Sequence, residues 1–251
     1  MKPELTNDRF LDGKLEFLQP KNGYRAATDP VFLAAAVAAK SGQSVLELGC
    51  GAGVALGCLL HRAKVDAVGL ELQPEYADLA RENMVRNGLS AEIIVGDLAQ
   101  MPADLRAKSF DHVMMNPPYY ESERHTSPSD AGKSTAFLEG DSQIGDWISV
   151  GLKRLKPLGW ITIIHRTPRL PEILAALENA GDIRILPLAA RMGRDSARVI
   201  VQARKGAAGQ LRLLAPLILH EGKVHAKDGD DYSSAASNIL RKGNALVMSD
   251  R

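Results

Sequence analysis

Short apolar runs alternate with longer amphipathic stretches along this chain, and turn residues mark the joints. Residues 15–18 read as a strand, and Pro20-Lys21-Asn22-Gly23 behind them is turn chemistry. Thr28-Asp29-Pro30 then opens an Ala-rich stretch to about Lys40, which predicts a helix, because a capping residue with proline at the first helical position is a start signal. Residues 44–48 form a compact apolar strand. It runs into Gly49-Cys50-Gly51-Ala52-Gly53 and a second helix ending near Arg62. Residues 65–70, closed by Glu71, are the next strand, and 74–87 a helix with Gly88 as its stop. Residues 91–95 and 110–115 complete the first half as strands.

From 120 to 142 the pattern lapses: the stretch is polar, holds Pro128, Gly132 and Gly140, and has no apolar period, so it reads as a long loop. Helical spacing resumes at 144–155, and strands follow at 160–164 and 183–188 around a helix at 171–180. Residues 199–203 and 213–219 read as late strands. Strands alternating with helices predict an α/β fold, a doubly wound, mostly parallel sheet with helices on both faces. No repeat and no linker divides the chain. The expected organisation is one domain over 1–251, with an N-terminal hairpin and helix (1–43), a core (44–188) and C-terminal strands and helix (189–251).

Composition narrows the class without naming it. The chain has 251 residues, 45% hydrophobic and 24% charged, with a formal net charge of +1, the values of an ordinary globular protein. Two cysteines, Cys50 and Cys58, make neither a disulfide framework nor a zinc pattern, and the histidines stand at no metal-binding spacing. No metal site is expected. No apolar run approaches the ~18 residues that span a bilayer, and MKPELTNDRF has no apolar core of a secretory leader. The expectation is a cytoplasmic protein without membrane contact; oligomeric state is not legible.

Chemistry enters with LELGCGAGVAL. Glycines between a strand and a helix let the backbone pass close to a ligand and turn into the helix N-terminus. A dinucleotide fingerprint would place its third glycine at 54, where the chain has Val54; the pattern is E-x-G-x-G-x-G from Glu47 to Gly53. Glu71, about 20 residues on, can accept hydrogen bonds from ribose hydroxyls. That alone suits NAD and S-adenosylmethionine equally. Asp97 follows the next strand, so three successive strand ends would line one edge of the sheet.

Together these residues resemble the motifs of class I S-adenosylmethionine-dependent methyltransferases. The resemblance implies a Rossmann-like seven-stranded fold and S-adenosyl-L-methionine as cofactor. It lays Gly49 and Gly51, with Glu47 before them, against the methionine part. It puts Glu71 and Leu72 at the ribose, and Asp97 with Leu98 at the adenine. Many relatives carry Asp where this chain has Glu47.

HVMMNPPYYES ends an apolar strand with a rigid turn. The Asn116 side-chain oxygen and the Pro117 carbonyl are acceptors for both hydrogens of a planar, conjugated NH2 group, which is a poor nucleophile. Prolines keep those acceptors rigid, and Tyr119 offers a π-face for a flat group. Tyr120 beside it reads as a further substrate contact or as packing. Asn-Pro-Pro-Tyr resembles the signature of N6-adenine and N5-glutamine methyltransferases. FLQPKNGYRAATDPVFLAAAV, residues 17–37, resembles the segment before the first strand in bacterial tRNA(Val) adenine-N6 methyltransferases, which implies that Arg25 and Thr28 help close the cofactor site. RVIVQARKG, LRLLAPLILHEGKVH and YSSAASNIL resemble that family's C-terminal region. The function so implied is methyl transfer to adenine N6 in tRNA or another RNA. Relatives acting on release-factor glutamine usually carry a helical N-terminal domain, and only about 43 residues precede the first core strand here.

Between Arg184 and Arg212 stand seven basic residues against one acid, Asp195, which reads either as a phosphate-binding patch or as an exposed hairpin. Arg191, Arg194 and Arg198 of that run, with Arg124 in the loop, are candidate RNA contacts. AGKS at 131–134 lacks the glycine a phosphate loop needs at 127. A protein glutamine or small-molecule methyltransferase on the same core, an RNA-binding module without catalysis, and a dehydrogenase remain as rivals. The glycine spacing opposes the last.

Overall fold

A computed structural model describes residues 4–118, 143–222 and 231–248. Ser44–Leu48 (β3), Asp66–Glu71 (β4), Glu92–Val95 (β5), Phe110–Met115 (β6), Leu155–Arg166 (β7), Ala180–Ala189 (β8) and Ser196–Lys205 (β9) lie in the order β8-β9-β7-β6-β3-β4-β5. β9 runs antiparallel to both neighbours, and the pairs from β7 through β6, β3 and β4 to β5 are parallel. Two short strands, Arg212–Leu213 (β10) and Leu217–Ile218 (β11), add to β8. Among the described residues the sheet therefore has nine strands, not the seven expected. The extra two come from the segment read as one late strand, where Pro216 has no N–H for a ladder.

Both faces are covered, which is why the central strands read as continuous apolar runs. Val45, Met114, Ile164 and Ile200 point into one core with Val31, Phe32 and Leu56. Leu46, Leu48, Val113, Met115, Ile161 and Val201 point into the other with Ile148 and Ile173. The helices that close these layers are Asp29–Ala36 (α1), Val54–Arg62 (α2), Pro74–Arg86 (α3), Ala103–Ala107 (α4), Ile144–Arg154 (α5), Leu170–Ala176 (α6) and Ser234–Leu240 (α7). α1 stops four residues short of Lys40, with Val37 already extended. α4 was not anticipated; its five residues are too few to show a period, and buried Leu105 is its anchor.

A two-stranded hairpin stands apart from the main sheet: Leu5–Phe10 (β1) pairs antiparallel with Leu15–Pro20 (β2). LTNDRF carries no apolar alternation, so only β2 was legible; β1 is a strand because β2 offers it a ladder. Asn83 on α3 and Asn87 at its C-cap, one turn apart, dock the hairpin by acting as peptide mimics. Asn83 accepts from Leu18 N–H at 2.7 Å and donates to Leu18 and Ala52 carbonyls. Asn87 accepts from Glu16 N–H and donates to its carbonyl at 2.8 Å. The hairpin is thereby fixed to the turn that follows β3.

The chain order places a switch point between β3 and β6. From β3 the sheet grows to β4 and β5 on one side, then returns to β6 and β7 on the other. Ligands of such folds sit at the carboxyl ends of the strands beside that point. The loop expected at 120–142 lies outside the described residues.

Candidate active site

Leu48 ends β3, and the backbone then needs a left-handed conformation three times: Gly49, Gly51 and Gly53 have φ of +67°, +53° and +83°. The N–H groups of Gly49 and Cys50 both donate to the Leu70 carbonyl, at 2.8 and 3.0 Å, which ties the turn to the end of β4. A Cβ on Gly49 would stand 2.7 Å from the Trp147 ring of α5. Gly51 faces more open space, with the Tyr24 ring 3.8 Å from where its Cβ would be. The turn is thus packed tightly at Gly49 and left more open at Gly51.

Glu71 reaches back over it. Its Oε2 accepts from Gly51 N–H at 2.7 Å and its Oε1 from Gln73 N–H at 3.0 Å. Burial raises the Glu71 pKa, against the lowering effect of those backbone donors. Glu47 lies deeper, only 3% exposed, and lines a cleft with Gln19, Tyr24, Gly49, Cys50, Tyr76 and Asn116. Its Oε2 is buried and has no hydrogen-bond partner among the described residues. Burial holds its carboxyl well above the usual range, with the nearby Glu71 adding to the rise. An orphaned buried acceptor facing a cleft is satisfied by a cationic or N–H-bearing ligand group. Asp97 follows β5, with Oδ1 accepting from Ala99 N–H at 2.8 Å. Leu72 is 39% exposed and Leu98 half-buried, which supplies apolar surface near the two acids. The donor set therefore fits a ligand carrying an ammonium, ribose hydroxyls and a flat ring.

Asn116 follows β6 directly and lines the same cleft. Its Nδ2 donates to the Tyr24 hydroxyl at 3.3 Å. Pro117 is buried, and Pro118 offers its carbonyl to His165 at the end of β7. Burial pushes His165 down to about 4, so the ring is a neutral support for the turn. Tyr119, Tyr120 and Arg124 lie outside the described residues.

Of the segment at 24–30, Tyr24, Ala26 and Pro30 line the cleft. Arg25 instead grips Asp8 of β1 with one nitrogen on both carboxylate oxygens, at 2.8 and 2.9 Å. Thr28 caps α1 through its carbonyl, which accepts from Val31 and Phe32 N–H, and not through its hydroxyl. Tyr24, Tyr76, Trp147 and His165 were missed by the sequence reading. Only the proximity of Tyr24 to Thr28 in a quoted motif could have flagged one of them.

Acids balance most of the basic run between 184 and 212. Arg184 and Arg212 both pair with Asp182, just outside that window. Arg191 pairs with Asp231 and the Glu221 carbonyl, and Arg198 with Asp29 at 2.9 Å. Arg184 and Arg204 flank the Trp160 ring. Arg194 is exposed on the β8–β9 turn, at the same sheet edge as Asn116. Among the described residues no group of three or more His, Cys, Asp or Glu could hold a metal, and no helix is long and apolar enough to cross a membrane.

Residues 45–128 match the family model described as a methyltransferase domain. A solved structure from Agrobacterium tumefaciens, described as a predicted O-methyltransferase, superposes with a TM-score of 0.71 at 27% identity, over 87% of this chain and 98% of that one. The chain is an S-adenosylmethionine-dependent methyltransferase, with S-adenosyl-L-methionine as its cofactor. Among curated proteins it is similar to the tRNA1(Val) (adenine(37)-N6)-methyltransferase of Shewanella loihica, 29% identical over 76% of each chain. It is also similar to the rRNA N(6)-adenosine-methyltransferase Mettl5 of Drosophila melanogaster, 32% identical over 53% of this chain and 63% of that protein.

Proposed function

We propose that the protein methylates the exocyclic N6 amine of adenine in RNA, with tRNA as the substrate. The observation that carries this reading is the position of Asn116-Pro117. The turn leaves the sheet beside the glycine turn, with Asn116 lining the same cleft as Gly49 and Glu47. The similarity to enzymes named for tRNA and rRNA adenine N6 supports it.

When bound, the cofactor supplies an electrophilic methyl group on a sulfonium, so no strong base is needed to drive transfer. The chain's task is to hold and orient. Asn116 Oδ1 and the Pro117 carbonyl accept both N–H bonds of the target amine, which draws electron density to nitrogen and aims its lone pair in line with the methyl. Glu47 meets the cofactor's ammonium, Glu71 its ribose, and Asp97 with Leu98 its adenine. Tyr119 stacks on the base, and Arg194 contacts RNA phosphate at the edge of the site.

The test is direct. Purified protein is incubated with S-adenosylmethionine and bulk tRNA lacking N6-methyladenosine, and the digested nucleosides are analysed by mass spectrometry. N6-methyladenosine is the expected product. Its absence, with cofactor binding shown by calorimetry, would sink the adenine assignment and move the acceptor to a glutamine amide or a small-molecule amine.

A further inference from the structure

We infer that Tyr24 is a positioning residue that sets which way the Asn116 amide faces, and so which of its two ends meets the target amine. The inference rests on the reading above, in which Asn116 Oδ1 takes an N–H of that amine.

An asparagine side chain ends in an acceptor and a two-hydrogen donor of nearly the same shape. Only one of its two orientations serves the reaction. Turned the other way, Nδ2 would point its hydrogens at the hydrogens of the target and repel it. A rigid backbone turn cannot make that choice, because rotation about the last side-chain bond is soft and roughly two-fold. A partner that takes the Nδ2 end can.

The Tyr24 hydroxyl is that partner. Asn116 Nδ2 donates to it at 3.3 Å. Desolvation of the hydroxyl in the cleft, together with the nearby Glu47 and Asp29 carboxylates, raises the phenol pKa, although Tyr24 as a whole is 43% exposed. Tyr24 is itself held in place. The Tyr76 hydroxyl donates to the Tyr24 carbonyl at 3.1 Å. Gly23, at φ +110°, lets the backbone pass so close that an added Cβ would lie 2.9 Å from that hydroxyl. Tyr76 stands in the first turn of α3, shortly after Glu71. A chain of hydrogen bonds therefore runs from Tyr76 through Tyr24 to the Asn116 amide. All three links line one cleft.

Tyr24→Phe keeps the ring and removes only the hydroxyl, so packing against the glycine turn survives. In single-turnover methyl transfer to tRNA the variant is expected to lose about tenfold in rate, the order of one hydrogen bond, with cofactor Kd within about twofold of wild type. A second readout needs no substrate. In 15N-labelled protein, the side-chain amide pair of Asn116, assigned by its disappearance in Asn116→Asp, should shift in Tyr24→Phe. An unmoved amide pair, or a Tyr24→Phe rate equal to wild type beside a crippled Asn116→Asp, overturns the inference alone. A fully active Asn116→Asp overturns both the inference and the proposed role of Asn116.

Discussion

Leu48 of β3 pairs with Met115 of β6, so the residues that follow them, Gly49 and Asn116, leave the sheet side by side. Neighbouring strands lie about 4.8 Å apart, and that register alone brings the glycine turn and the Asn116-Pro117 turn together. Leu48 also pairs with Leu70, and Glu71 with Val95, which carries the same level across to Glu71 and the approach to Asp97. The site is a row of strand ends in register.

Asn116→Ala should abolish most turnover, by about 100-fold or more, since preorganised hydrogen bonds at the reacting atom carry effects of that size. Cofactor affinity should change little. Single-turnover transfer and calorimetry on the same preparation check this. Equal rates in variant and wild type would remove Asn116 from the reaction.

Glu71→Ala should weaken cofactor binding by roughly tenfold to 100-fold, the range for hydrogen bonds to a charged group. It also strips Gly51 and Gln73 N–H of their acceptor, so thermal stability should fall with it. Calorimetric titration below the variant's melting range measures the first effect. An unchanged Kd would take the ribose away from Glu71.

Cofactor binding should release a proton from Glu47. In the free protein burial holds its carboxyl well above the usual range, so it keeps its proton to higher pH than an exposed glutamate does. An ammonium placed beside it favours the carboxylate, so apparent affinity rises with pH up to that raised pKa. Binding enthalpies at one pH, in two buffers of different ionisation enthalpy, should differ for wild type and agree for Glu47→Gln. Buffer-independent enthalpy in the wild type would rule the linkage out.

Stability should carry a histidine signature. His112, 3% exposed and bonded to Gln43 at 3.1 Å, is pushed by burial down to about 4 from 6.5. A folded pKa below the unfolded one means that the unfolded chain takes its proton first. The contribution is complete above about pH 6.5 and is lost as pH falls toward 4; its size is of the order of 3 kcal/mol. Glu47 and Glu71, with raised pKa values, act in the opposite sense, so the comparison must be differential. The gap in urea midpoint between wild type and His112→Gln should change across pH 6.5 to 4, to the disadvantage of wild type at the acid end. Parallel curves would contradict it.

Most of the fold was legible for a simple reason. β3, β4 and β6 are short apolar runs buried on both faces, β5 is a short edge strand, and each ends in punctuation: Gly49, Glu71, the Asp97 turn, Asn116-Pro117. β1 was not legible, because its residues are polar and only the β2 ladder makes it a strand. The arginine run was misleading for a related reason. Its balancing acids, Asp29, Asp182 and Asp231, lie outside the window in which the charges were counted, and two of them are far along the chain.

The sequence by itself determined the alternation of strands and helices, the glycine turn, the acids at strand ends and the chemistry available at Asn-Pro-Pro. Those are local matters: hydrophobic period, backbone freedom at glycine, rigidity at proline. Only the tertiary structure decided that Tyr24 faces Asn116, that Glu47 is buried with an oxygen unsatisfied among the described residues, that Trp147 closes on Gly49, and that Arg25 grips Asp8. Each of these joins residues from different elements, and their distances follow from strand register and helix packing, which no local pattern in the chain records.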